Sequence, residues 1–246
     1  MYHLLRNQIK IVAFVAALLA LASPAMAQDK EIYRQEHDNL RYYFGITLGY
    51  NATSLRPTFS TKFLLDDSIK VARPSASGGI ALGFLGTLRL NNHFQLRINP
   101  QLVIGGAKSF DYTLNKDSLA AGESEYMTKT LPATLISLPI HIKFNSDRID
   151  NFRFYVLSGI RLERNLASPP PATNGDEKVL SLKQNDFGLE TGVGFNFFLP
   201  YVTISPEIKF TYGLSNLNDR NPDLKYSAVF DKIQSRMISF SLHFED

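Results

Sequence analysis

The chain has 246 residues with no Cys and no Trp, and it sets 26 Lys+Arg against 23 Asp+Glu. Without Cys there is no disulfide framework and no thiolate metal site. The formal charge of +3 is too small to argue for a nucleic-acid partner.

Met1 to Ala27 has a short basic start (Arg6, Lys10), an apolar run from Ile11 to Ala22, and Ala25-Met26-Ala27 ahead of Gln28. This is the pattern of a secretory signal peptide with an A-x-A cleavage site. Its apolar run is shorter than the roughly 20 residues a spanning helix needs. Its removal takes two basic residues and no acidic one, leaving 24 against 23, or +1. Residues 28–41, Gln28 to Arg41, are polar and mixed in charge, with Ile32, Tyr33 and Leu40 as isolated apolar residues. They read as a periplasmic tether or a short frayed helix.

From Tyr42 the chain alternates. Tyr42, Phe44, Ile46, Leu48 and Tyr50 share one parity, and Tyr43, Gly45, Thr47, Gly49 and Asn51 the other. A period of two is a strand's signature. An apolar face that opens and closes with Tyr, backed by a small polar face, matches a lipid-facing strand with interfacial aromatics. A soluble sandwich would seldom turn Gly to solvent. The pattern recurs with Ile80, Leu82, Phe84, Leu88 and Leu90, and then with Phe94, Leu96, Ile98, Leu102 and Ile104. It continues through Ile136 to Phe144 and Phe152 to Leu162, a pair joined by a polar turn that reads as an antiparallel hairpin. Phe187 to Phe197, Val202 to Tyr212 and Ile238 to Phe244 complete it.

The expected fold is all-β, an eight-stranded antiparallel transmembrane up-and-down β-barrel over residues 42–246, in the bacterial outer membrane. The connectors agree. Asn91-Asn92, Asn145 to Asn151 and Leu199-Pro200 are short, whereas Arg56 to Ser75, Ala107 to Lys129, Ala167 to Lys183 and Ser215 to Lys232 are long. Short periplasmic turns and long outer loops are the bacterial arrangement. Pro100, Pro139 and Pro206 fall inside strands. Each removes a ladder donor, so a bulge or a widened pair is expected there.

Eight strands enclose a lumen that side chains can fill. The inward parity holds Arg89, Arg97, Arg153, Arg161, Glu163, Glu190, Glu207 and Lys209. Charges in so narrow an interior should pair, as a structural plug or as an ion path. A lipid-modifying enzyme would need a base near the outer leaflet. His37, His93, His141 and His243 all read as periplasmic or near the periplasmic ends of strands. No metal spacing, phosphate loop or nucleophile elbow occurs, so no catalytic residue, cofactor or metal is assigned. Loop one carries Phe63, Leu64 and Leu65 beside Asp66 and Asp67, which is either a solvated loop or a docking patch.

Two blocks, SLPIHIKFNSDRIDNFRFYVLSGIRLERNLAS (Ser137 to Ser168) and LPYVTISPEIKFTYGLSNL (Leu199 to Leu217), resemble the PorT family of the Bacteroidetes outer membrane. The resemblance runs from about Tyr42 to Phe244. It implies an eight-stranded, non-enzymatic barrel that serves type IX secretion of sorting-domain cargo and gliding, and it supplies no catalytic residues. A lumen too narrow for cargo restricts such a barrel to an accessory, assembly or docking role. The implied partners are outer-membrane lipid and other envelope proteins of the secretion system, with Ile32, Tyr33, Leu40, Phe63, Leu64 and Leu65 as contacts. A general structural or adhesive barrel is the alternative reading, and a lipid-modifying outer-membrane enzyme ranks behind it.

Overall fold

The structure, a computed structural model, describes residues 31–60, 69–106, 108–115, 124–131, 133–167, 182–218 and 230–246. The signal segment lies outside them. The strands are β1 (Tyr42–Phe59), β2 (Ile69–Ser75), β3 (Ser77–Arg89), β4 (Phe94–Ile98), β5 (Gln101–Gly105) and β6 (Lys108–Leu114). They continue as β7 (Tyr126–Leu131), β8 (Thr134–Asn145), β9 (Phe152–Asn165), β10 (Asn185–Phe198), β11 (Thr203–Gly213) and β12 (Phe230–Glu245).

Every named pairing is antiparallel, and β1 bonds to both β12 and β3, so the sheet closes on itself. β4 and β5 are two halves of one position between β3 and β8, which makes a ring of eight. Closure removes the open edges that an exposed sheet would present.

The lipid-facing parity is bare: Phe84 is 72% exposed and Tyr42 65%, whereas inward Lys143 and Tyr155 are at 0%. In water this would be an inside-out protein; in a bilayer it is the low-energy arrangement. Aromatic pairs mark the end with the short turns, Phe94 against Phe144 and Phe152 against Phe195 and Phe197. That end is periplasmic by the usual asymmetry of turns and loops.

No bulge forms at the in-strand prolines. Named pairing lapses at Asn99-Pro100 and opposite Pro206, yet the register is the same on both sides of each gap. Pro139 stays paired with Arg161. The carbonyls of Pro100 and Pro139 still accept from Phe84 and Asn99. Each ring therefore costs the ladder one donor, and the register continues without an inserted residue.

The outer connections are also more ordered than expected. β1 reaches Phe59, and β12 begins at Phe230, well before Ile238. β2, β6 and β7 form a separate three-stranded sheet, the continuation of β3, β5 and β8 past the barrel rim. Here the code inverts. Phe110, Tyr112, Phe230, Ile233 and Ala72 are buried, while Lys70, Arg73, Asp111 and Asp231 are exposed. Phe230 lies 5.6 Å from Phe59 and 5.1 Å from Phe110, ring centre to ring centre. A small apolar core thus caps the outer mouth, with a layer of Ala81, Val103, Ala133 and Leu135 among the buried inward residues.

The Tyr33–Leu40 stretch belongs to the same compact unit as the barrel. It forms a 3-10 helix, Gln35–Asn39, that turns His37 inward.

Candidate functional site

The lumen is organised by glycines. On the inner face, Gly194 of β10 stands in register between Tyr155 of β9 and Glu207 of β11. Any side chain there would meet the Tyr155 ring, so its absence lets Tyr155 lie across β10 and donate to Glu207 at 2.8 Å. Gly159 stands likewise between His141 and Glu190, whose Nε2 and Oε1 meet at 3.1 Å. Long polar side chains bridge to the next strand but one because the intervening residue has no Cβ.

Glu207 is the hub of the resulting lattice. Arg97 donates to it at 2.8 Å and to Glu245 at 2.9 Å, so one guanidinium ties two carboxylates across the lumen. Lys209 sits 3.2 Å from Glu207 and 3.4 Å from Glu190, and His243 lies 3.2 Å from Glu207. Toward the outer end Arg161 pairs with Glu163 at 2.5 Å and is 4.0 Å from Asp186 and from Glu190. Lys143 donates to Asn196 at 3.2 Å and rests 3.8 Å above the Tyr155 ring. All these groups are buried. In so dry an interior unpaired charges would be prohibitive, and shared hydrogen bonds hold them in fixed places.

The periplasmic mouth is closed by the 33–40 stretch. Asp38 gathers Arg153 at 2.8 Å, Arg148 at 3.0 Å and Arg89 at 4.0 Å. Arg148, on the turn between β8 and β9, also donates to the Tyr33 and Arg34 carbonyls and lies 3.9 Å over the Phe198 ring. Arg34 donates to the Glu245 carbonyl at 2.9 Å and pairs with Asp246 at 3.5 Å. His37 packs against Tyr43 and Phe198. Neither of its ring nitrogens has a hydrogen-bond partner among the described residues. Burial pushes its pKa down to about 4, with Arg34 and Arg89 pushing the same way and Glu245 and Asp38 opposing.

Six of the eight expected lumen charges, Arg97, Arg161, Glu163, Glu190, Glu207 and Lys209, meet in the central lattice. Arg89 and Arg153 instead grip the periplasmic closure. Sequence reasoning did not assign Tyr155, Lys143, Asp186 and Glu245 to the network, although all four lie on the inward parity. His141 and His243, placed near strand ends, join it too. Of the expected partner contacts, Ile32 and Leu40 are exposed, and Tyr33 is held through its N–H to Asn151 at 2.9 Å. Phe63, Leu64 and Leu65 lie outside the described residues.

A closed ring with a lipid-exposed apolar band and a filled polar interior defines a bacterial outer-membrane β-barrel protein. The chain belongs to the outer membrane protein beta-barrel domain family, whose sequence profile matches residues 26–219. No curated protein matches it. Among solved structures it is similar to Neisserial surface protein A, at 11% identity over 81% of this chain and 95% of that one, TM-score 0.43. It is also similar to OprG of Pseudomonas aeruginosa (14%, 82% and 94%, TM-score 0.44). A third is Ail, the attachment invasion locus protein of Yersinia pestis (10%, 84% and 100%, TM-score 0.39). The family match is broader than PorT, so that narrower assignment remains a resemblance.

Proposed function

We propose that the protein is a non-enzymatic, non-conducting structural barrel that works through contacts at its outer face, in the manner of an adhesive or scaffolding surface protein. The observation that carries this reading is the lumen, occupied by the Arg97–Glu207–Glu245 lattice between an aromatic outer cap and the 33–40 closure. A pore would need an open path, and a transporter a mobile element. The strand-built outer extension of β2, β6 and β7 instead offers a rigid ledge of the kind on which recognition loops are carried.

A second reading, an accessory of type IX secretion, is supported by the Ser137–Ser168 and Leu199–Leu217 blocks and uses the same geometry. Gene deletion with three readouts separates the possibilities. The structural reading expects weakened surface attachment or envelope integrity, with sorting-domain cargo exported normally and lipid A unchanged in mass. Cargo trapped in the periplasm would replace it with the accessory role. A shifted lipid A mass would replace both with an enzyme.

A further inference from the structure

The barrel wall carries a groove on its lipid-facing side. Ser158, Thr191, Phe210, Ile238 and Ala52 form one outward row, each in register with the next across β9, β10, β11, β12 and β1. Both ends of that row are small, and beside it the next outward row carries Leu189, Tyr212, Arg236 and Ser54. The hollow between them has a volume of about 770 Å³, within the range of small-molecule sites.

Arg236 sets this hollow apart from ordinary barrel wall. Its guanidinium carbon lies 3.2 Å from the centre of the Tyr212 ring, and Nη1 donates to the Ser235 carbonyl at 3.1 Å. Nη2 is buried and has no hydrogen-bond partner among the described residues. The one carboxylate among the described lining residues, Glu190, is turned into the lumen toward His141, Lys209 and Thr211. Along β12 the outward parity changes here from Phe240 and Ile238 to Arg236, Gln234 and Lys232, and on β1 exposed Arg56 follows Ser54. That change marks the outer interface, where a lipid-facing Arg is tolerated.

We propose that this groove is a binding site for an outer-leaflet phosphoglycolipid of the lipid A type. An acyl chain lies along the row from Ser158 to Ala52, and the Arg236 guanidinium turns out of the wall to present Nη2 to a phosphate oxygen, with the Ser54 hydroxyl beside it. The chemistry is an apolar trough ending at a stacked guanidinium with a free donor, and guanidinium to phosphate is among the stronger charge-assisted pairings. The position, where the outward face of β12 changes from apolar to polar on its way to the outer rim, selects the outer leaflet.

The test is native mass spectrometry of the purified full chain, released from phosphatidylcholine nanodiscs doped with bis-phosphorylated lipid A. The wild-type barrel is expected to retain one lipid A, and Arg236→Gln to retain about tenfold less. Ser158→Phe, which fills the groove while leaving the cation, should show a similar loss with unchanged gel mobility of the folded barrel. Dephosphorylated lipid A and phosphatidylglycerol should be retained weakly by the wild type. Retention by Arg236→Gln equal to wild type, or of dephosphorylated lipid A equal to the phosphorylated form, overturns the proposal. Displacement by millimolar inorganic phosphate would assign the site to free phosphate and overturn the lipid assignment.

Discussion

Replacing Glu207 by Gln keeps the side chain's size and removes its charge at the point where Arg97, Tyr155 and Lys209 converge. Breaking a buried ion pair from one side typically costs about 3 to 5 kcal/mol, because the partner is left charged and dry. Here each stranded cation has a second carboxylate: Arg97 keeps Glu245 at 2.9 Å and Lys209 keeps Glu190 at 3.4 Å. The expected loss is therefore at the low end, about 3 kcal/mol, or roughly a 150-fold shift in the folding equilibrium. Removing Lys209 as well, as Glu207→Gln with Lys209→Met, should recover part of it, since neighbouring charges are non-additive. The chain has no Trp, so urea unfolding in lipid vesicles is best followed by the mobility of unboiled samples on gels. A Glu207→Gln midpoint indistinguishable from that of the exposed-turn control Asp147→Asn would refute the lattice as a source of stability.

Other outcomes follow from single features. Gly194→Ala should displace the Tyr155 ring and break its bond to Glu207, lowering stability by about 1 to 3 kcal/mol as overpacking does, measured in the same urea assay. His37 is held down to about 4 from an ordinary value near 6.5, so the folded state takes up its proton later than the unfolded one. Its contribution is present above pH 6.5 and is lost as pH falls from there toward 4, by at most roughly 3 kcal/mol. An NMR titration of the His37 ring with a midpoint near 6.5 would contradict its docked burial. Single cysteines at Asn92 and Tyr126 test orientation: in intact cells an impermeant maleimide should label the second and spare the first.

The membrane-spanning part of the fold was legible because two solvents, lipid outside and a polar lumen inside, write opposite chemistry on alternate residues. Phe84 and Arg97 announce their faces unaided. Parity gives a face and says nothing of height or register, however. Tyr155 and Glu207 are 52 residues apart in sequence, and only the alignment of β9, β10 and β11 over Gly194 joins them. The outer extension was missed for a different reason. Above the rim, Phe110, Tyr112 and Phe230 point inward and Asp111 and Asp231 outward, which is the code of a soluble sheet and reads as loop to a membrane template. The 33–40 closure was illegible because its grip is polar and non-periodic, an Asp38 held by Arg148 and Arg153 from distant strands and turns. The broad family was readable from the same alternation.

The central claim is that fixed side chains fill the barrel from mouth to mouth. Planar-bilayer recording of the purified, refolded chain tests it most directly, with insertion verified by protease protection of the strands. A filled lumen predicts a membrane that stays at baseline conductance across the physiological voltage range in molar salt. Sustained single-channel steps from the wild-type protein, scaling with salt concentration, would contradict it and show that the Arg97–Glu207–Glu245 lattice lines a path rather than closing one.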